Sequence, residues 1–147
     1  MIEPESITKK FNEYKSRFEK NAYVDVGFHA AIFTDEHIAE IPELARRGIT
    51  SFKFFIPYRG EEAKGGLVGI DDGIVYFGFE QIARLGKPAV AMVHCENVEV
   101  FYKFKRRLLN EGKAGRIYWH DARPNFCEVE AMMRTLYFAK VAGCTLY

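Results

Sequence analysis

The chain has 147 residues, 48% of them hydrophobic, and its 21 basic and 20 acidic side chains leave a net charge of +1. One domain's worth of chain with that apolar content can bury a packed core, and so even a charge balance gives no field to recruit nucleic acid or an anionic membrane. No apolar run approaches the roughly 20 residues that cross a bilayer. The start, Met1-Ile2-Glu3-Pro4-Glu5-Ser6, lacks the basic and apolar regions of a secretion signal, so the expected compartment is the cytoplasm. Cys95, Cys127 and Cys144 are an odd, widely spaced set without a C-x-x-C pair. Free thiols are expected, not a disulfide framework or a thiolate zinc site.

In chain order, Ile7, Phe11, Tyr14 and Phe18 recur at helical spacing among Lys and Glu and predict an amphipathic surface helix. A strand is predicted at about Tyr23 to Phe28. Thr34 is placed to cap a helix bearing Ile38, Ile41 and Leu44, with Pro42 kinking or restarting it and Gly48 in the left-handed terminating position. The apolar run Ile49 to Ile56 is the next strand. Arg59 to Gly73, with Gly60, Gly65, Gly66 and Gly69, reads as a long loop before a capped helix ending near Gly86.

Ala89 to His94 is a continuous apolar strand of the kind buried in parallel sheets. Asn97 caps a predicted helix carrying Val98, Phe101, Leu108 and Leu109, stopped by Gly112; Asn125 and Glu128 form a capping box for another, ending near Gly143. Cys144 to Tyr147 begins a further strand. The order β-α-β-α-β-α-α-β implies parallel strands in an α/β fold, either a doubly wound sheet or a sector of a (β/α)8 barrel. Periodicity does not choose between them.

Chemistry concentrates in two strands. Lys53 shares a strand face with Ser51 and Phe55, where burial would lower its pKa and make the neutral amine accessible. A neutral amine can take up carbon dioxide, and the resulting carbamate suits the bridging of two divalent metals, with a neutral imidazole such as His94 beside it. The alternative is a lysine paired with a buried carboxylate or snorkelling to the strand end. His94 is the first strongly polar residue of its strand and sits at the C-terminal tip, where α/β folds place their sites.

Three segments carry a resemblance: Ser51-Phe52-Lys53-Phe54-Phe55-Ile56-Pro57-Tyr58, then Met92-Val93-His94-Cys95-Glu96-Asn97, then Ala122-Arg123-Pro124 before a helix. Together, and in this order, they resemble the dihydropyrimidinase and hydantoinase branch of the amidohydrolase superfamily, from about Tyr23 to Tyr147. The resemblance implies a partial (β/α)8 barrel, from about strand three to the start of strand six, with residues 1–147 as a single segment of it. It implies that Lys53 is carboxylated and bridges two divalent metal ions, zinc the leading choice, that His94 is a metal ligand, and that Tyr58 contacts substrate. The reaction implied is metal-dependent hydrolysis of a small cyclic amide or imide by a homodimer or homotetramer.

Two departures accompany it. The interval from Lys53 to His94 is longer than the family pattern, with the surplus assigned to Glu61 to Asp72. The family's H-x-H pair, its strand-six histidine and its strand-eight aspartate have no counterparts, so the chain alone is expected to be inactive. A non-catalytic relative that keeps the barrel for oligomerisation is the competing reading. His29 is assigned to the end of the Tyr23 to Phe28 strand, facing the site from a second layer or serving structurally. His120-Asp121 beside Trp119 is assigned to a polar loop, Lys103, Lys105, Arg106 and Arg107 to a solvated helix face, and Cys95 to packing.

Overall fold

The computed structural model describes residues 5–59, 63 and 68–147. Helix α1 (Ile7–Asn21) starts at Ser6, whose Oγ accepts the Lys9 N–H at 3.3 Å. Its Phe11 and Phe18 meet the Phe28 ring edge-on, at 5.3 and 5.5 Å between centroids. The strand expected at Tyr23 to Phe28 does not form: Tyr23 and Val24 are fully or largely exposed, and pairing starts only with β1 (Ala30–Ala31). Strand-forming residues there have no partner strand to receive their backbone hydrogen bonds, so propensity alone decides nothing.

Helix α2 (Asp35–Arg46) is capped by Thr34, whose Oγ1 accepts the His37 N–H at 3.3 Å. Pro42 lies inside this helix without restarting it, because Ile41 and Leu44 on either side are fully buried and hold both halves against the core. Gly48, at φ +94°, supplies the left-handed exit that a side chain would strain. His37 is itself buried: its Nδ1 accepts the Phe33 N–H and its Nε2–H donates to the Glu5 carbonyl, both at 3.2 Å.

Strand β2 (Ser51–Phe55) is the centre of a three-stranded parallel sheet in the order β1-β2-β3, with β3 at Val90–His94. Alternation sorts its side chains: Phe52 and Phe54 are fully buried, whereas Ser51, Lys53 and Phe55 on the other face are half-buried. The buried pair joins Ile41 and Leu44 of α2 and Val75, Phe79 and Ile82 of α3 (Asp72–Leu85) in one core. Gly78 lets α3 lie against Phe54, since a Cβ there would stand 2.5 Å from the phenyl ring. Asp71 caps α3, its Oδ1 accepting the Ile74 N–H at 3.0 Å.

Asn97 caps α4 (Val98–Asn110) through the Val100 N–H at 3.1 Å. A 3₁₀ turn (Arg116–Tyr118) and the one-turn α5 (Trp119–Ala122) lead to α6 (Phe126–Ala142). The expected Asn125 capping box is absent: Asn125 already has helical angles, φ −49° and ψ −32°, so its side chain cannot reach back to the helix N–H groups. Gly143 ends α6 at φ +69°. Of the strand expected after it, one parallel bridge forms on the free side of β3, with Ala91 N–H donating to Thr145 and Tyr147 N–H donating to Ala91. The surplus assigned to Glu61 to Asp72 lies largely outside the described residues.

Candidate functional site

The parallel register pairs Lys53 with Met92 and Phe55 with His94. Lys53 therefore lies two residues before the end of β2, while His94 is the last residue of β3, and the two are diagonal neighbours on the face that no core helix covers. Among the described residues no carboxylate stands within ion-pair distance of Lys53; its amine rests 5.2 Å from the centre of the Phe55 ring. Among the described residues, the reading in which a buried carboxylate neutralises it finds no partner. Burial lowers its pKa, with Cys95 opposing.

Tyr58 follows on the loop beyond β2. Its ring stands edge-on to His94 at 5.4 Å and to Phe55 at 5.6 Å, and Phe55 in turn stacks on Phe33 at 6.0 Å. The loop is pinned from three sides. Gly69 N–H donates to the Tyr58 carbonyl, the Tyr102 hydroxyl donates to the Arg59 carbonyl, and the Arg59 guanidinium donates to the Ile70 carbonyl at 2.8 Å. Gly69 is required by close approach, because its Cβ would lie 2.7 Å from the Ile56 oxygen.

Lys53, Tyr58 and His94 open onto one cavity of about 760 Å³, whose other walls include Glu96, Trp119 and Arg123. Glu96, from the β3–α4 loop, and Arg123, between α5 and α6, form an ion pair with side chains only 13% and 17% exposed. The Arg123 guanidinium also lies 4.0 Å from the Phe101 ring and 4.6 Å from that of Trp119. Sequence reasoning gave this pair no role, although the H-x-E-N and A-R-P motifs contain both residues. The missing signal was their juxtaposition across a helix.

His94 is accessible at the strand tip, yet its pKa is lowered, first by the protein surrounding the cavity and then by the Lys53 charge, with Glu96 opposing. A concave site admits water while displacing much of the bulk solvent that would stabilise an imidazolium. Cys95 borders the cavity, donates its thiol to Thr135 Oγ1 at 3.5 Å, and is pushed upward in pKa by burial, which suits packing. All three cysteines are free.

His29 corrects the expectation. It precedes β1 and its Nδ1 lies 2.6 Å from Ser51 Oγ at the start of β2, so it belongs to the N-terminal end of the sheet, away from the His94 tip. His120 and Asp121 occupy the short α5 instead of a loop and are exposed. In the basic cluster of α4, Arg107 lies over Phe104 at 4.4 Å and Lys105 over Tyr102 at 6.0 Å, both on rings of their own helix. No helix of the described residues is long and apolar enough to cross a membrane.

Among the described residues no group of three or more His, Cys, Asp or Glu side chains is placed to hold a metal ion. The donors present fit part of a divalent-metal centre: an amine and an imidazole, both biased toward the neutral form that can be carboxylated or coordinate, on one open face.

No family model matches the chain. It is 29% identical over 147 residues to an allantoinase of Bacillus licheniformis, covering 99% of this chain and 31% of that protein. To a D-hydantoinase of Geobacillus stearothermophilus it is 32% identical over 146 residues, covering 97% and 29%. A crystal structure of a D-hydantoinase superposes with a TM-score of 0.83 and 31% identity, covering 100% of this chain and 31% of that one. The chain thus spans about a third of the length of these relatives, and the same hydrophobic alternation that isolates Lys53 is set in a fold shared with them.

Proposed function

Because this chain corresponds, over nearly its whole length, to a segment of the cyclic amidohydrolase branch, we propose that it supplies one side of the active site of a metal-dependent cyclic amide hydrolase. In this reading residues 1–147 form a sector of a (β/α)8 barrel, about strands three to the start of six. The sequential order β1-β2-β3 and the placement of the α2 and α3 core on the face opposite Lys53 support that sector over a doubly wound sheet. The observation that carries the reading is the convergence of Lys53, His94 and Tyr58 on a single cavity at the C-terminal end of parallel strands.

Lys53, carboxylated, and His94 would hold part of a pair of divalent metal ions, zinc the first choice, the remaining ligands coming from outside the described residues. Metals bound there supply activation of water and polarisation of the amide carbonyl. Tyr58, which borders the cavity beside His94, would donate its hydroxyl proton in a hydrogen bond to the carbonyl oxygen as that oxygen gains charge. Pro57, Val93 and the Tyr58 ring give the cavity apolar wall beside these polar groups, and Phe55 and Phe33 pack in series behind Tyr58. The substrate is a small cyclic amide or imide, a hydantoin-type ring foremost, in keeping with the relatives' names. A dimer or tetramer and a reducing, cytoplasmic setting complete the proposal.

The test is transplantation. These 147 residues replace the matching segment of the Geobacillus stearothermophilus D-hydantoinase, and metal content, hydantoin turnover and the ¹³C carbamate signal from labelled bicarbonate are measured beside the chain alone. Metal, carbamate and turnover in the chimera that vanish with Lys53→Ala or His94→Ala are expected, with negligible turnover by the chain alone. A folded chimera that keeps metal and activity without Lys53 or His94 refutes the assignment.

A further inference from the structure

Trp119 is the only tryptophan of the chain, and 65% of it is exposed although it borders the same cavity as Lys53, Tyr58 and His94. A four-residue helix such as α5 has too few backbone hydrogen bonds to hold an indole by itself. What holds it is Arg123, 4.6 Å from the indole ring, which packs against Phe101 and is anchored by the largely buried ion pair to Glu96. An aromatic wall is thereby fixed beside the polar end of the cavity.

We propose that Trp119 determines specificity by receiving a planar, uncharged substituent carried outside the ring of a cyclic amide, with Arg123 as its positioning residue. The inference rests on the reading of the cavity as a cyclic amide site. An anionic substituent is disfavoured, because Glu128 borders the cavity and the Arg123 charge is already matched by Glu96. An aromatic substituent gains ring–ring contact there, worth about a five-fold gain in affinity.

The experiment compares binding of hydantoin and 5-benzylhydantoin to the metal-loaded chimera by calorimetry and ligand-observed NMR, and follows Trp119 emission and helix content in the chain by itself, where Trp119 is the only tryptophan. The expected result is tighter binding of the benzyl compound, a preference lost in Trp119→Ala, largely kept in Trp119→Phe, and hydantoin affinity unchanged in both. In Arg123→Met, and less so in Glu96→Gln, the Trp119 emission shifts to the red, acrylamide quenches it more, and the preference falls while helix content holds. If hydantoin binds but the benzyl compound has no advantage, or keeps its advantage in Trp119→Ala, the inference is overturned alone. If hydantoin does not bind the folded, metal-loaded chimera, the cyclic amide reading falls and takes the inference with it.

Discussion

The phenol of Tyr58 stands edge-on to the imidazole of His94, ring centroids 5.4 Å apart and planes at 64°. One residue comes from a loop and the other from a strand tip, and the contact exists because β2 and β3 run parallel in a register that sets Phe55 beside His94. In the chimera, Tyr58→Phe keeps the ring and its packing but removes the hydroxyl donor. We expect kcat to fall on the order of 10²-fold with little change in KM, as for loss of one oxyanion donor. Steady-state kinetics with hydantoin checks this; an unchanged kcat would exclude the assigned role.

Lys53 costs the fold stability. Its pKa is lowered by burial, so the unfolded chain binds a proton more readily than the folded one between the folded and unfolded pKa values. Stability is therefore penalised at neutral pH and recovers as pH rises through the lowered pKa. Lys53→Met removes the penalty and raises the melting temperature at pH 7, for a stability gain of less than about 1 kcal/mol given the solvent screening at this half-buried position. Thermal melts at pH 7 and pH 10 should show the gain shrinking at the higher pH.

His94 acts in the same direction at lower pH. Its imidazole pKa is lowered from the ordinary 6.5 by burial and by Lys53. Stability present above the unfolded value is lost as pH falls through the folded one, because protonation costs more in the folded chain. Urea melts of His94→Gln should show a shallower loss of stability below about pH 6.5 than the unsubstituted chain, whose other groups titrate alike.

Gly78 and Phe54 form a tight helix-on-strand contact. A Cβ at position 78 would lie 2.5 Å from the fully buried Phe54 ring, so Gly78→Ala should cost about 1–3 kcal/mol through overpacking. Phe54→Leu makes room at its own cost, and the double variant should be more stable than the sum of the single losses predicts. Denaturant titration of the four proteins in the cycle decides it.

His37 uses both ring nitrogens: Nδ1 accepts the Phe33 N–H just before α2, and Nε2–H donates to the Glu5 carbonyl and so ties α2 to the entry of α1. His37→Leu keeps the bulk but leaves the Phe33 N–H without its acceptor, at a cost of about 1–3 kcal/mol. Hydrogen exchange should accelerate first in α1, which also leans on α2 through the Thr8 N–H bond to Glu40 at 2.6 Å.

Much of this protein was legible in the chain because its signals are local. Period-two alternation put Lys53 on the face opposite Phe52 and Phe54, the caps at Thr34 and Asn97 marked helix starts, and glycines at 48, 112 and 143 marked exits with positive φ. The motif order located His94 and Tyr58 at the same end of the fold. What the tertiary structure decided depends on partners distant in sequence. A strand needs a neighbour to hydrogen-bond, so Tyr23 to Phe28 stayed unpaired while two alanines found β2. Asn125 lost its cap to the turn that brings α6 in, and His29 went to the other end of the sheet because register, not residue type, sets position along a strand. The Glu96–Arg123 pair, 27 residues apart, and the Trp119 wall it supports emerge only when α4 and α5 fold together over the cavity. Charge pairing and aromatic packing across elements leave no periodic trace in sequence, which is why Lys53, Tyr58 and His94 could be named from the chain and their surroundings could not.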